Sequence, residues 1–349
     1  MNTSKISDTQ RIKNIQSAIR SADSELKNKH PILNHQNTIG LIICLGAFVG
    51  MIACGLAYIA DIIPAWACIV MATIFASISH ELEHDLIHRL YFKKNAVIQN
   101  TMMAIVWIMR PNTVNPWYRR NIHFNHHKTS GTADDIEERV LGNGMQFGWK
   151  RLLISLDGFL SISLRQKELR NMKDYSYFSF VLKGAPLAHA YVVILYSFLL
   201  FHGFDFMNNY YALNIVYPEF TSPIISILNI AAVIWVLPNA LRAFCLHNIT
   251  AIMHYYGDVD SLLKQCQVIN HWSAIPFQLF CFNFGATHTI HHFVVSQPFY
   301  LRQMIAKDIY PVMKENGIRF NDFGSLIRSN RFAKSDIAEP NQSGISEAI

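Results

Sequence analysis

Residues 39–60 carry 22 consecutive positions without a charged side chain, and this run limits what the chain can fold into more than any other feature. At about 1.5 Å per residue, a helix of that length crosses the hydrocarbon core of a bilayer. The competing reading, a soluble protein with apolar core helices, does not need an uncharged run so long. Composition points the same way: of 349 residues, 51% are hydrophobic and 15% charged, with a mean hydropathy of +0.17. That is more apolar than a soluble domain of this size requires.

A second span is expected over residues 65–79, entered after Asp61 and Pro64. Residues 185–204 and 223–241 form another pair, joined by an aromatic segment around Tyr210, Tyr211 and Tyr217 that contains no Lys or Arg and suits an interfacial belt. Residues 96–109 and 275–284 are apolar but too short to cross, and read as interfacial or re-entrant helices. No linker, charge block or internal repeat divides the chain. The expected fold is therefore an all-α integral membrane protein, with four transmembrane helices in two hairpins and a cytosolic helical cap. One membrane domain, residues 39–310, is flanked by polar cytosolic segments at 1–38 and 311–349.

Lys and Arg set the expected orientation. The loops at 61–64 and 205–222 have none, whereas residues 89–183 carry many and the amino-terminal segment has Lys5, Arg11, Lys13, Arg20, Lys27 and Lys29. Both termini and the long loop then belong in the cytoplasm, and the inner membrane of a bacterium is the expected location. A net charge of +6, spread rather than striped, indicates anionic lipid and no nucleic-acid partner. Cys44, Cys54, Cys68, Cys245, Cys266 and Cys281 contain no C-x-x-C pair and read as packing residues. The polar first 37 residues do not have the form of a cleavable signal peptide. The tail beyond Phe332 is polar and reads as a flexible terminus.

Eight of sixteen histidines fall into three clusters. H-E-L-E-H holds His80 and His84, H-F-N-H-H holds His123, His126 and His127, and H-T-I-H-H holds His288, His291 and His292. On a helix, positions i, i+3 and i+4 share a face, so each cluster can aim several imidazoles at one point. Imidazole binds Zn, Cu, Fe and Ni alike. Eight neutral histidines exceed what one tetrahedral zinc uses, and can supply two metals with open positions. The span map puts all three clusters on one face of the membrane.

His80, Glu81 and His84 also spell H-E-x-x-H, in which two histidines hold zinc and the glutamate acts as base. An intramembrane zinc metalloprotease is thus a second class of function, but it leaves the other six clustered histidines without a role. A third class, metal transport, expects ionisable residues within the spans, where only His189 and His202 stand out.

The three histidine motifs resemble those of the membrane fatty acid desaturases and their hydroxylase relatives over most of the chain. The resemblance implies two irons, dioxygen as co-substrate, and oxidation of a C–H bond in a fatty acyl chain, with desaturation as the expected reaction. It further implies a ninth ligand upstream of the last cluster: His254 in M-H-Y-Y-G, with His247 as runner-up. His88, one turn beyond His84, either joins the first cluster or caps its helix. The segments H-E-L-E-H-D-L-I-H and N-P-W-Y-R-R-x-I-H also resemble a bacterial subgroup that includes 1-alkene-forming fatty acid decarboxylases. Desaturation, hydroxylation and decarboxylation differ in events that motifs do not encode.

Metal-bound histidines usually donate their second ring nitrogen to a carboxylate or carbonyl, which makes Glu81, Glu83, Asp85, Asp134, Asp135, Asp258 and Asp260 the supporting acids to examine. Arg119, Arg120 and Lys128 flank the second cluster, either to contact an acidic headgroup or to anchor the chain at the interface. Trp107 and Trp117 either line an acyl tunnel or sit at the membrane surface. No dinucleotide, haem or iron–sulfur motif is present in the sequence, so electrons are expected from a separate donor of the ferredoxin, rubredoxin or cytochrome type.

Overall fold

The computed structural model describes residues 6–172 and 175–333. The tail expected to be flexible lies, from residue 334, outside the described residues. Among those described, every named element is helical. Four helices are long and apolar enough to cross a membrane: Gln36–Ile59, Ala65–Ile87, Leu187–Tyr210 and Thr221–Met253. They form two hairpins closed by tight connections at 60–64 and 211–220. Ile42, Val49, Leu56 and Ile59 of the first span, and Val193, Leu199 and Leu200 of the third, present open apolar side chains. Lipid is the solvent that makes such surfaces favourable.

The first two spans pack on each other through Ala47, Met51, Cys54, Cys68 and Ala72, with Met109 and Val233 completing the cluster. All six cysteines are free and buried, as packing residues should be. Helix Ala96–Met109 takes the position expected of a short non-spanning helix and buries Met102, Met103 and Val106 against Leu82 and Leu86. The segment 275–284 differs from expectation. It forms only a short helix, Ile275–Leu279, then turns through Phe282 and Asn283, both at positive φ, into helix Phe284–Phe293. The left-handed turn separates the apolar run from the last histidine cluster and re-aims the new helix.

Two spans run well past their expected ends. The second continues from Ser79 to Ile87, and the fourth from Leu241 to Met253. The added turns bury polar side chains in protein, Glu81, Glu83 and Asp85 on the second span and Arg242, His247 and Thr250 on the fourth, which allows a helix to leave the apolar slab without unwinding. The fourth span contains a π turn at Ala232–Val236 just before Pro238. Proline has no N–H for the helical ladder, and a wider turn accommodates the break. Trp235, within the irregular turn, ties it to helix Ala96–Met109 by donating from Nε1 to the carbonyl of Ile108 at 2.8 Å.

Among the described residues, the amino-terminal helix packs into the cap. In helix Asp8–Lys29, Ile15 and Ile19 are completely buried against Val268, Ile290, Phe293, Ile305, Ile309 and Met313. Helix Phe299–Glu315 thus lies between the amino-terminal helix and the last histidine cluster. The intervening chain, residues 149–184, adds short helices bearing exposed Trp149, Leu152, Leu156, Phe159, Phe178 and Leu182. That amphipathic pattern suits the lipid–water boundary.

Candidate metal centre

The histidine clusters lie on three helices. His80, His84 and His88 share one face at the end of Ala65–Ile87, the second cluster sits on Pro116–Thr129, and the third on Phe284–Phe293. Arg120 fixes the end of the first helix by donating to the carbonyls of Ile87 at 2.9 Å and Leu86 at 3.1 Å. His88 does both things expected of it: it is the C-cap of that helix and its ring enters the site.

Two groups of four imidazoles result. His84, His88, His123 and His291 form one; His126, His254, His288 and His292 form the other, with one nitrogen from each residue within 4.8 Å of every other in its group. In the first group, Nε2 of His88 lies 3.0 Å from Nε2 of His123 and 3.1 Å from that of His291. His127 adds its Nε2 at 3.2 Å from His88, 3.1 Å from His123 and 3.1 Å from His291. In the second, Nε2 atoms of His288 and His292 are 3.1 Å apart.

Such spacings fit a shared cation better than mutual hydrogen bonding. Each neutral imidazole carries one N–H, so four converging Nε2 atoms cannot pair off satisfactorily. Ligands held about 2.0–2.1 Å from an ion are themselves roughly 3.0–3.4 Å apart. Both ring nitrogens of His84 and of His254 are buried without a hydrogen-bond partner, as is Nδ1 of His288. Buried polar atoms left open in this way are costly unless something occupies the space between them.

The other expected ligand, His80, belongs to neither group of four. Its ring is buried with both nitrogens unpartnered, lies 5.3 Å from the ring of Phe284, and borders a cavity. His247, the runner-up to His254, is engaged elsewhere: its Nε2–H donates to the carbonyl of Leu141 at 2.5 Å.

Electrostatics separate the groups. Burial, reinforced by neighbouring histidines and guanidiniums, lowers the pKa of His88 and His127 to about 2 and holds His291 well below the ordinary value. Burial, reinforced by neighbouring histidines alone, lowers His288 and His292 well below it. Burial also opposes charge on His126 and His254, but Asp135 outweighs it at His126, and Cys266 with Glu138 outweighs it at His254, so both are raised. Within the second group His126 and His254 are thus set apart from His288 and His292, and because only the neutral imidazole ligates, a cation there competes with protons.

Acids hold the outward nitrogens. Asp135 meets Nδ1 of His126 at 2.9 Å, and Glu137 meets Nδ1 of His123 at 2.7 Å. Glu138 approaches Nδ1 of His254 at 3.2 Å without hydrogen-bond alignment, and Oε1 of Gln265 lies 3.0 Å from Nδ1 of His292. Glu137, Glu138 and Gln265 were not among the expected supporting groups. The acidic run following the second cluster was the only sequence signal for the two glutamates, and Gln265 had none. Asp135 also caps helix Ile136–Val140, which places the two glutamates one turn on. Asp135→Asn is expected to weaken metal binding roughly 10–100-fold while leaving the fold intact, measurable by competition with a chelator.

Other expected supports lie elsewhere. Asp134 is exposed, Asp258 accepts from the backbone N–H groups of Phe332 and Ala333, and Asp260 pairs with Lys264. Glu81 and Asp85 lie on the helix face beside the histidines and receive Arg302 at 3.0 and 3.4 Å. Asp85 also accepts from Tyr91 Oη at 2.8 Å and the N–H of Phe299 at 2.9 Å. Gly40 permits this arrangement, since a Cβ there would collide with the Tyr91 ring. Arg302 itself places Nη1 2.8 Å from Nδ1 of His291. Glu81 is thus paired with a guanidinium through Oε2, and His80 and His84, which a metalloprotease would need on one zinc, do not fall in one group of four.

Arg119 and Arg120 do not reach outward to a headgroup. Arg119 bridges Glu83 at 2.9 Å and Glu137 at 3.2 Å, while Arg120 caps the second span. Lys128 is exposed. Trp107 and Trp117 meet edge to face with centroids 6.3 Å apart, and neither lines the cavity beside His80.

Four apolar spans and a cap of converging buried imidazoles define an integral membrane protein with a histidine site able to hold metal. The family profile described as fatty acid desaturase matches residues 60–324, and the chain belongs to that family. It is accordingly an oxidoreductase of the desaturase type. No match is found among curated proteins.

Proposed function

We propose that this chain is a membrane-bound di-iron oxidase that desaturates a fatty acyl chain, with dioxygen as co-substrate and electrons from a separate ferredoxin, rubredoxin or cytochrome-type carrier. The division of the histidines into two groups of four supports two ions. The metal ligands in this reading are His84, His88, His123 and His291, with His127 beside them, and His126, His254, His288 and His292. His80, on the same helix as His84 with both ring nitrogens buried and unpartnered, is a further candidate ligand beside the groups and also borders the cavity. Two irons bound there would supply dioxygen activation and removal of hydrogen from an unactivated carbon.

The chain's own residues do the rest. Asp135, Glu137 and Gln265 fix ring orientation and leave the opposite nitrogens directed inward. Burial keeps bulk water from the site, and the cavity walls position the substrate. Positive-inside counting supports a cytoplasmic cap, and a bacterial inner membrane is the proposed location. The test is mass spectrometry of products from iron-loaded protein given reductant, dioxygen and fatty acyl substrates. Loss of two hydrogens is expected. Gain of oxygen would assign hydroxylation, loss of the carboxyl carbon would assign decarboxylation, and one zinc with no oxidised product would overturn the oxidase reading.

A further inference from the structure

Beside His80 lies a cavity of about 190 Å³, walled by Ile122, Ile136, Val140, Leu141, Leu246 and Phe180. One water needs only roughly 10–15 Å³ by the same kind of measure, so the space admits an alkyl group of several carbons. Its polar lining is uneven. Arg110, Arg119 and Arg242 all border it. Glu83 and Glu137 neutralise the first two: Arg110 and Arg119 both pair with Glu83, and Arg119 also with Glu137.

Arg242 has no such partner. It is 3% exposed, yet no carboxylate among the described residues comes within ion-pair distance. Its Nε donates to Oδ1 of Asn239 at 3.2 Å and its Nη2 to Oδ1 of Asn112 at 2.7 Å. Both acceptors are neutral amides that fix the guanidinium without cancelling its charge, and Nη1 makes no hydrogen bond to the described residues. A buried cation on a membrane span is costly and normally has an anionic counterpart. The cavity it borders is where such a counterpart can reach it, and the Ile, Val, Leu and Phe side chains of the wall suit an apolar remainder.

We propose that Arg242 is the receptor for the carboxylate of a free fatty acid, which enters this cavity head first and so brings its carboxyl end to the side of the site bordered by His80. The proposal rests on the lipid-oxidase reading of the same site. A guanidinium is suited to a carboxylate through paired N–H donors. The burial of Arg242 excludes a bulky carrier from its immediate surroundings, so an acyl thioester would not engage it. An ester has no charge to offer.

The test is equilibrium binding of labelled hexadecanoate, its methyl ester and its coenzyme A thioester to the purified full-length protein in detergent. Wild type is expected to prefer hexadecanoate over the methyl ester by about tenfold or more, the range of a charge-assisted hydrogen bond. R242Q should abolish that preference by weakening acid binding alone, and R242K should retain part of it. A purely structural role would weaken acid and ester together. Equal binding of acid and ester by wild type overturns the proposal even if R242Q fails to fold, as does a preference that survives in R242Q. Oxidised product from the thioester, with no acid preference, would remove the receptor and keep the oxidase. Arginine-dependent acid binding to iron-loaded protein that yields no oxidised product would do the reverse.

Discussion

Alanine at His291 and alanine at His292 are each expected to lower bound iron from about two ions per chain to about one, and each to reduce turnover by at least roughly a hundredfold. The residues are adjacent in sequence but separated by about 100° around their helix, and they join different groups of four. Removing His292 leaves its group with three imidazoles and the other complete, and removing His291 leaves three of the first four with His127 beside them. Loss of even a supporting partner of a metal ligand costs about 10–100-fold in affinity or activity, and loss of the ligand itself should exceed that. Metal analysis of the two variants, with His271→Ala as a control, decides the matter. His271 is exposed and its Nδ1 lies by Ser273, so its replacement should leave iron content unchanged. If H291A or H292A retains both ions, the assignment of ligands to two groups is wrong; if either loses both, the groups are not independent.

That pair also shows where sequence reading reaches its limit. Spacing of i, i+3 and i+4 places side chains on a common face, and the three histidine clusters were legible for that reason. It does not say which imidazole crosses to which partner helix. His88 looked ambiguous from its position alone, and it enters the first group because Arg120 holds the helix end where its ring can meet His123 and His291. His80, one of the most conspicuous members of the pattern, stands outside both groups. The spans were legible from uncharged length, but the ends of the second and fourth were not. Glu81, Glu83 and Asp85 were legible as supporting acids, but not that Arg302, Arg110 and Arg119, all distant in sequence, would pair with them. The same long-range packing hid the contribution of the amino-terminal helix, whose polar composition gives little indication that Ile15 and Ile19 close the cap.

Glu83 should be the most sensitive position away from the metal ligands. Its side chain is fully buried, it pairs with Arg110, and it receives Arg119 at 2.9 Å. Replacing it with alanine leaves Arg110 buried without a carboxylate, while Arg119 keeps Glu137. Breaking a buried pair by removing one partner costs about 3–5 kcal/mol, because the remaining charge has lost both water and counter-ion. An apparent unfolding temperature lowered by roughly 5–15 °C in detergent is the expected size of the effect. The double substitution Glu83→Leu with Arg110→Met removes both charges and restores apolar volume, so it should recover much of the loss. If the double variant unfolds as early as Glu83→Ala, packing and not uncompensated charge governs this position. Activity should fall further than stability in Glu83→Ala. Glu83 holds Arg119, Arg119 holds Glu137, and Glu137 orients His123 at 2.7 Å. Iron affinity measured at a temperature where the variant remains folded separates the two effects: a weakened first group would mean that the chain of ion pairs positions His123, and unchanged affinity would confine Glu83 to stability.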